Sequence, residues 1–224
     1  MKIIARIYTD FKEKFGIPRQ SGIADELIGR IVFEPEYRVA EALRGLDGYS
    51  HIWLIWQFSE AQRETWSPTV RPPRLGGNRR MGVFATRSPY RPNPIGLSSV
   101  KLERIEHTEN EGDVLIVRGA DILDGTPIYD IKPYLAYTDS HPDAIGGFAD
   151  PVRDYSLKVD FPEELLCRVS AEKRGALIKM LSCDPRPSYK EDGDHEYGMK
   201  FSDYEISFKV KSETITVTKV EICK

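Results

Sequence analysis

Six arginines and six prolines lie in the segment from Pro68 to Pro94, which contains no acidic residue. The arginines are Arg71, Arg74, Arg79, Arg80, Arg87 and Arg91. Guanidinium groups bind phosphates and carboxylates through paired hydrogen bonds, and prolines restrict the backbone that carries them. Because the chain as a whole has a formal net charge of −3, the segment predicts a local anion-binding surface and not a uniformly basic protein.

Two loops have the composition of a preorganised binding site. Residues 14–20 read KFGIPRQ, where glycine and proline favour a turn and Arg19 and Gln20 offer hydrogen-bonding groups. Residues 87–96 read RSPYRPNPIG, and the three prolines reduce the entropy lost when the loop is ordered. An ordinary polar loop and a stiff structural connector are the respective alternatives.

Two further segments combine turn signals with polar side chains. In residues 121–134, the pair Asp124-Gly125 predicts a turn whose backbone groups can bind an adenine edge or a ribose. Residues 184–189 read DPRPSY and bring an acid, an arginine and an aromatic ring onto rigid chain. A plain β-turn and a local helix end are the structural alternatives.

The elements that must position these loops are mainly strands. Runs rich in Ile, Val, Trp and Phe predict strands at 2–8, 27–33, 50–58, 81–86, 97–105 and 113–118. One short helix is expected at Tyr37–Leu43, ended by Gly45. Strands at this density predict a barrel or a sandwich. We expect Trp53, Trp56 and His51, in the central apolar run, to be buried.

A turn-rich stretch beginning at Ser140, SHPDAIGGFADP, predicts a boundary between residues 1–140 and residues 141–224. The second part is expected to contain a strand near Tyr155–Val159 and a helix from Pro162 to about Leu181. A hairpin should follow, with its turn at Lys211–Glu213. The predicted fold class is therefore mainly β, with an N-terminal β-barrel domain and a small α+β C-terminal domain.

Composition excludes several classes of protein. Three scattered cysteines and four histidines support neither a disulfide scaffold nor a zinc site. The longest uninterrupted apolar run, Ile52–Trp56, is too short to cross a membrane, and the N-terminus lacks a secretory signal. We therefore expect a cytoplasmic protein without a metal or membrane contacts. No two glycines are separated by a single residue, so a Rossmann dinucleotide loop is absent, as are HExxH, GxSxG and paired CxxC motifs.

Several long motifs resemble the TsaA/TrmO family, whose members methylate tRNA using S-adenosylmethionine. They are FGIPRQSG, SPTVRPPRLGGNRR, GVFATRSPYRPNPIGLSSVKL, DGTPIYDIKPYL and DPRPSY, and they span nearly the whole chain. The resemblance implies a β-barrel that binds S-adenosylmethionine without a Rossmann sheet. It also implies methylation of N6 of threonylcarbamoyladenosine beside the tRNA anticodon, and a homodimer.

The resemblance further implies which residues contact the cofactor. These are Pro18, Arg19, Gln20, Ser59, Glu60, Arg87, Leu97, Leu123, Asp124, Gly125 and Thr126. The chain departs from the family pattern in two places. Thr9-Asp10 stands where a Ser-Pro pair is common, and Ser59-Glu60 stands where a His-Gln pair often follows the aromatic strand.

The implied reaction suggests roles for the remaining polar residues. The N6 lone pair of threonylcarbamoyladenosine is delocalised, so removal of its proton would assist attack. Asp184 and Tyr189 are the candidate catalytic residues, with Asp124 as a further candidate base. Stacking and phosphate contacts to tRNA are expected from Tyr90, Arg186, Arg71, Arg74, Arg79, Arg80 and Arg91. The alternatives are a methyltransferase for another RNA or a small molecule, and a non-catalytic RNA-binding barrel.

Overall fold

The computed structural model of the chain describes residues 1–61, 65–72, 79–186 and 195–223. The strands of the first half are β1 (Ala5–Tyr8), β2 (Ile28–Phe33), β3 (His51–Gln57), β4 (Thr69–Val70), β5 (Met81–Gly82), β6 (Ile95–Thr108), β7 (Gly112–Arg118) and β8 (Thr126–Pro133). Six of them form a closed barrel in the order β1-β2-β7-β6-β3-β8, and β4 pairs with β5 in a separate hairpin. The barrel closes where Ala5 lies opposite Ile128, which confirms the predicted architecture.

Alternation along β3 explains how the barrel is filled. In the sequence HIWLIWQ, Ile52, Leu54 and Trp56 are buried, and the residues between them are half exposed. This is the period of two that a strand with one face on a core requires. Trp56 lies opposite Gly96 of β6, and a Cβ added at Gly96 would overlap the indole ring of Trp56. A glycine is therefore required at this position for the barrel to hold its largest side chain.

A smaller α+β unit, here called the C-terminal lobe (residues 158–222), follows the short helix α1 (Ala136–Asp139). Its elements are β9 (Lys158–Asp160), α2 (Glu163–Leu166), α3 (Ala171–Ser182), β10 (Glu196–Phe201), β11 (Tyr204–Lys211) and β12 (Thr214–Ile222). The sheet order is β10-β11-β12-β9, and β9 runs parallel to β12. Leu177 and Met180 of α3 belong to the same buried cluster as Phe208 of the sheet. Of the described helices, none has the length and apolar character needed to cross a membrane.

The barrel and the C-terminal lobe meet through the connection between β1 and β2, here called the bridging segment (residues 9–27). Phe11 is almost fully buried, and it shares the apolar cluster of the C-terminal lobe, where its ring centroid lies 6.2 Å from that of Phe201. Lys173 of α3 pairs with Asp10 at 2.5 Å. The backbone N–H of Ser202 donates to the carbonyl oxygen of Asp10 at 2.8 Å. Contacts with the C-terminal lobe thus help to fix the conformation of the bridging segment.

Among the predicted elements of the first half, the helix was wrong in kind and the strand at 81–86 was much too long. The helix at Tyr37–Leu43 is replaced by two 3-10 turns, Pro35–Tyr37 and Ala40–Leu43, because Val39 between them is extended (φ −117°, ψ 112°). Neither turn buries a residue, so no apolar face stabilises a regular helix here. The strand expected at 81–86 ends after Gly82, where a 3-10 turn at Val83–Ala85 begins.

In the C-terminal lobe the single long helix was wrong. It divides into α2 and α3 because Val169, between them, is buried and Ser170 is extended (φ −56°, ψ 141°). Strand β10 was not predicted, although its residues alternate between exposed and buried. The hairpin was predicted correctly, since Val210 pairs with Ile215 across its turn.

The expected burial of the central run holds only in part. Trp56 is buried, whereas Trp53 is half exposed and donates from Nε1 to Asp139 Oδ2 at 2.9 Å. The prediction of a buried His51 was wrong. Its side chain is half exposed, and Nδ1 lies 2.9 Å from the hydroxyl oxygen of Ser50, because His51 belongs to the set of β3 residues that alternates away from the core.

We predict that Gly96→Ala lowers the free energy of unfolding by about 1–3 kcal/mol, because the new methyl group would displace Trp56 from its packed position. Urea unfolding followed by tryptophan fluorescence measures the effect. Gly82→Ala is the matched control, since no atom lies within 4 Å of its added Cβ and its φ of −57° suits any residue. Equal destabilisation by the two substitutions would contradict the packing argument.

Candidate functional site

The turn at Leu123–Thr126 is fixed by hydrogen bonds to β1 and to the chain that follows it. The N–H of Asp124 donates to the carbonyl of Phe11 at 2.9 Å, and the N–H of Gly125 donates to that of Ile7 at 2.8 Å. In return, the N–H of Thr9 donates to Asp124 Oδ1 at 2.9 Å. Gly125 has φ +73°, which only glycine adopts at no steric cost. The predicted turn therefore exists and presents a rigid edge beside the bridging segment.

The KFGIPRQ loop lies within the bridging segment and contacts Glu60 of the predicted Ser59-Glu60 pair. Lys14 Nζ donates to the carbonyl of Glu60 at 2.7 Å and lies 3.1 Å from its Oε2 atom. Ser59 and Glu60 form part of a 3-10 turn, Ser59–Ala61, just after β3. Gly16 has φ +93°, and a Cβ there would meet Met199 of β10 at 3.3 Å. The loop shape is thus tied to both the barrel and the C-terminal lobe.

A hydrogen bond joins the two predicted loops directly. Arg87 Nη1 donates to Gln20 Oε1. Both residues are predicted cofactor contacts, and they come from segments 67 residues apart in sequence. Leu97 lies nearby in sequence on β6, where it points away from the barrel core and is 59% exposed. Within the predicted cofactor set, this bond joins the loop of Gln20 to the loop of Arg87.

Three hydrogen-bonded residues near Arg87 were not among the predicted site residues, and they are Trp56, Ser98 and Asp121. The Trp56 indole N–H donates to Ser98 Oγ at 3.0 Å, and the Ser98 hydroxyl donates to Asp121 Oδ1 at 2.7 Å. Burial raises the pKa of Asp121, while the Ser98 hydrogen bond and the charge of Arg87 only partly oppose the shift. Asp121 is thus a partly buried acid at the junction of β6, Arg87 and the bridging segment. Its position at the start of the DILDGT turn was the one available sequence signal.

Asp184, a predicted catalytic residue, is engaged on both carboxylate oxygens. Arg186 Nε and Nη2 donate to Oδ1 and Oδ2, each at 2.9 Å, and the Tyr155 hydroxyl donates to Oδ2 at 3.0 Å. Burial raises the pKa of Asp184, but the hydrogen bonds and charge of Arg186, with the Tyr155 hydrogen bond, outweigh it and lower the pKa overall. In this arrangement Asp184 is a weak proton acceptor. Tyr189, the other candidate, lies outside the described residues.

The described part of the DPRPSY segment, residues 184–186, nevertheless reaches the candidate cofactor loop. Arg19 Nη2 donates to the carbonyl oxygen of Arg186 at 3.1 Å. Asp184 adopts φ +55°, a left-handed conformation that aspartate tolerates better than most residues. The ion pair within the segment therefore holds the backbone that receives Arg19.

Two of the predicted tRNA-binding arginines have hydrogen bonds within their own loops. Arg80 Nε donates to Thr69 Oγ1 at 2.7 Å, and Arg91 Nη1 donates to the carbonyl of Thr86 at 3.1 Å. Arg71 and Arg79 are exposed, as is Tyr90 with 39% of its surface accessible. Arg74 lies outside the described residues. The arginines that the structure describes therefore combine support of the loops with a positive outer surface.

An open cleft of about 420 Å³ borders the Asp124 turn and lies between the barrel and α3. It is lined mainly by charged residues, including Asp124, Lys12 and Glu172, and Lys12 pairs with Asp124 at 2.8 Å. In the part of the chain that the structure describes, no three His, Cys, Asp or Glu side chains are grouped so as to hold a metal ion. The candidate site is thus formed by turns, arginines and carboxylates.

Two family models match the chain in succession. Residues 6–140 match the tRNA-methyltransferase O N-terminal domain, and residues 154–222 match the TrmO C-terminal domain. Together these matches cover both the barrel and the C-terminal lobe.

Individual relatives agree over nearly the whole length. The tRNA (adenine(37)-N6)-methyltransferase of Escherichia coli K12 is 38% identical over 226 residues, which cover 97% of this chain and 96% of the relative. A putative S-adenosylmethionine-dependent methyltransferase of Pseudomonas aeruginosa is 40% identical over 213 residues, covering 91% and 89%. A crystal structure of TrmO from the same species superposes with a TM-score of 0.77 at 35% identity, covering 98% of this chain and 95% of that one.

We predict that Asp121→Asn changes how stability depends on pH. Because the pKa of Asp121 is raised in the folded state, the folded protein retains this proton to higher pH than the unfolded chain. Its contribution to stability is therefore lost as the pH rises from about 3.9, the ordinary aspartate value, through the raised pKa. Urea unfolding of both proteins across that range should show the stability of the wild type falling relative to Asp121→Asn. A difference that does not vary with pH would contradict the prediction.

Proposed function

The chain belongs to the tRNA-methyltransferase O family, and from that membership we propose that it transfers a methyl group from S-adenosylmethionine to N6 of adenosine 37 in tRNA. The observation that carries the proposal is the end-to-end likeness to the Escherichia coli tRNA (adenine(37)-N6)-methyltransferase, at 97% and 96% coverage. The likeness includes the C-terminal lobe as well as the barrel. The substrate is the threonylcarbamoylated form of that adenosine, in the anticodon loop.

The residues at the site suit the chemistry of S-adenosylmethionine, which carries a carboxylate, an ammonium group, a ribose and an adenine. Arg19 and Arg87 offer guanidinium groups to the carboxylate. Glu60 and Asp124 offer oxygens to the ammonium group or the ribose hydroxyls. The rest of the proposed set consists of Pro18, Gln20, Ser59, Leu97, Leu123, Gly125 and Thr126.

Bound S-adenosylmethionine supplies an electrophilic methyl group for an in-line displacement. The task of the protein is then to align the N6 atom with that methyl group and to exclude water. Because Arg186 lowers the pKa of Asp184, we assign Asp184 a positioning role, in which it orients Arg186 and through its backbone Arg19. Tyr189 remains the candidate to contact the reacting base.

The arginine segment, Pro68 to Pro94, forms the proposed tRNA-binding surface together with Arg186. Arg71, Arg74, Arg79, Arg80, Arg91 and Arg186 would contact backbone phosphates, and Tyr90 would stack on a base. A local basic surface is sufficient for such contacts, although the chain as a whole is slightly acidic. The two domains proposed to share this work are residues 1–140 and residues 141–224.

We also propose that the protein is a homodimer that acts in the cytoplasm. Ile95 and Leu97 lie on the outer face of β6 and are 38% and 59% exposed. Exposed apolar side chains on a sheet face favour association, and this face adjoins the loop that carries Arg87. A second copy would cover it close to the candidate cofactor site.

A methyl-transfer assay with labelled S-adenosylmethionine tests the proposed function. We expect transfer to tRNA from cells that make threonylcarbamoyladenosine and none to tRNA from cells that do not. Transfer to neither, with S-adenosylmethionine still bound in calorimetry, would assign the enzyme another substrate. Absence of any binding of S-adenosylmethionine would favour the non-catalytic RNA-binding barrel.

We predict that Arg87→Ala lowers kcat/KM for S-adenosylmethionine by about 10- to 100-fold, because it removes a charged hydrogen-bond donor. The free energy of unfolding should change by less than about 0.5 kcal/mol, since Arg87 is exposed. Arg104→Ala is the control, because Arg104 is also exposed but pairs with Glu103 and Glu106. Losses of stability and activity in equal proportion would rule out a direct role for Arg87.

A further inference from the structure

Trp66 and Phe84 form an exposed aromatic pair that the proposed function does not use. Their side chains are 51% and 74% exposed, and their ring centroids lie 6.0 Å apart with 32° between the planes. Aromatic rings of this size gain free energy when they leave water. Two of them grouped on a surface therefore indicate a place where another molecule binds.

The pair is held in position by the small hairpin of β4 and β5. Thr69 pairs with Gly82, and the N–H of Val83 donates to the carbonyl of Pro68 at 2.9 Å. Val83 is buried, and the Thr86 hydroxyl donates to its carbonyl at 2.9 Å. Phe84 therefore follows an anchored residue, so little backbone entropy remains to be lost at this position when a ligand binds.

The charges around the pair identify the kind of partner. Arg71 and Arg79 flank the same hairpin and are exposed, and Arg80 is bound to Thr69 within it. No acidic residue occurs between Glu64 and Glu103 in the sequence. A surface with aromatic faces at one end and arginines at the other complements single-stranded RNA, which presents flat bases along a chain of phosphates.

The position of the pair relates it to the proposed methyl-transfer site. Phe84 is three residues from Arg87, so their Cα atoms lie at most about 11 Å apart. Arg87 in turn contacts Gln20 of the candidate cofactor loop. A nucleotide stacked on this pair would therefore lie near the loop that carries Arg87 and its partner Gln20.

We infer that Trp66 and Phe84 form a stacking platform for an unpaired anticodon-loop base other than the methylated adenosine. The inference rests on the proposed function for the identity of the RNA, but it concerns binding and not methyl transfer. The platform would set the register of the loop, while the neighbouring arginines hold its phosphates.

Binding of a synthetic anticodon stem-loop RNA to the full-length protein, followed by fluorescence anisotropy, tests the platform. Phe84→Leu and Trp66→Leu keep apolar bulk but remove the aromatic face, and we expect each to raise Kd by roughly 5- to 100-fold. Phe84→Tyr and Trp66→Phe should bind almost as tightly as the wild type. Tyr137→Leu is the matched control, because Tyr137 is 87% exposed but lies on α1, outside the arginine segment.

Salt dependence separates stacking from charge. The leucine variants should leave the slope of log Kd against log salt unchanged, whereas Arg71→Ala should reduce it by about one. Affinity for S-adenosylmethionine should be unchanged in the leucine variants.

Three outcomes would overturn the platform. The first is wild-type RNA affinity in both leucine variants, and the second is an equal loss of RNA affinity in the leucine and the aromatic variants. The third is a fall in the molecular mass of the leucine variants in solution, which would assign the surface to a second copy of the chain. Its failure is distinct from that of the proposed function. If the wild type transfers methyl groups and the leucine variants bind RNA normally, only the platform is ruled out. If RNA binding depends on the two rings but no methyl transfer occurs, only the proposed activity is ruled out.

Discussion

The bridging segment between β1 and β2 is the part of the chain on which the candidate site depends. On one side the turn at Leu123–Thr126 binds its backbone through Phe11 and Thr9. On the other side Phe11 is buried in the core of the C-terminal lobe, and Lys173 pairs with Asp10. The loop that carries Arg19 and Gln20 has no regular secondary structure of its own, so its shape follows from these two sets of contacts.

A buried polar connection gives the opposite side of the site its rigidity. Trp56 fills the barrel because Gly96 leaves room for its ring, and its indole N–H then needs an acceptor. Ser98 supplies that acceptor and passes the hydrogen bond on to Asp121. Packing inside the barrel is thereby linked to the acid that lies near Arg87. The departure from the family pattern at Thr9-Asp10 belongs to the bridging segment, where Asp10 binds Lys173.

Features encoded by adjacent residues were predictable from the sequence, and features made by distant ones were not. The Asp124-Gly125 turn and the C-terminal hairpin follow from local turn chemistry and from alternation. The ion pair between Asp10 and Lys173, 163 residues apart, leaves no periodic signal. Neither does the hydrogen bond from Ser98 to Asp121. The division of α2 from α3 was missed because Val169 continues an apolar pattern. In the structure the carbonyl of Val169 accepts a hydrogen bond from Arg174, and the N–H of Ser170 donates to the hydroxyl of Tyr204.

The order in which these contacts can form during synthesis follows from their separation in the chain. Glu13 of the bridging segment accepts a hydrogen bond from the N–H of Lys200, 187 residues later. At about 5–20 residues per second, that partner is made roughly 10–40 s after the segment itself. The barrel can close once β8 has left the ribosome, but the loop beside it must wait for the last strands of the chain. The barrel strands are therefore synthesised before the strand that completes the contacts of the bridging segment.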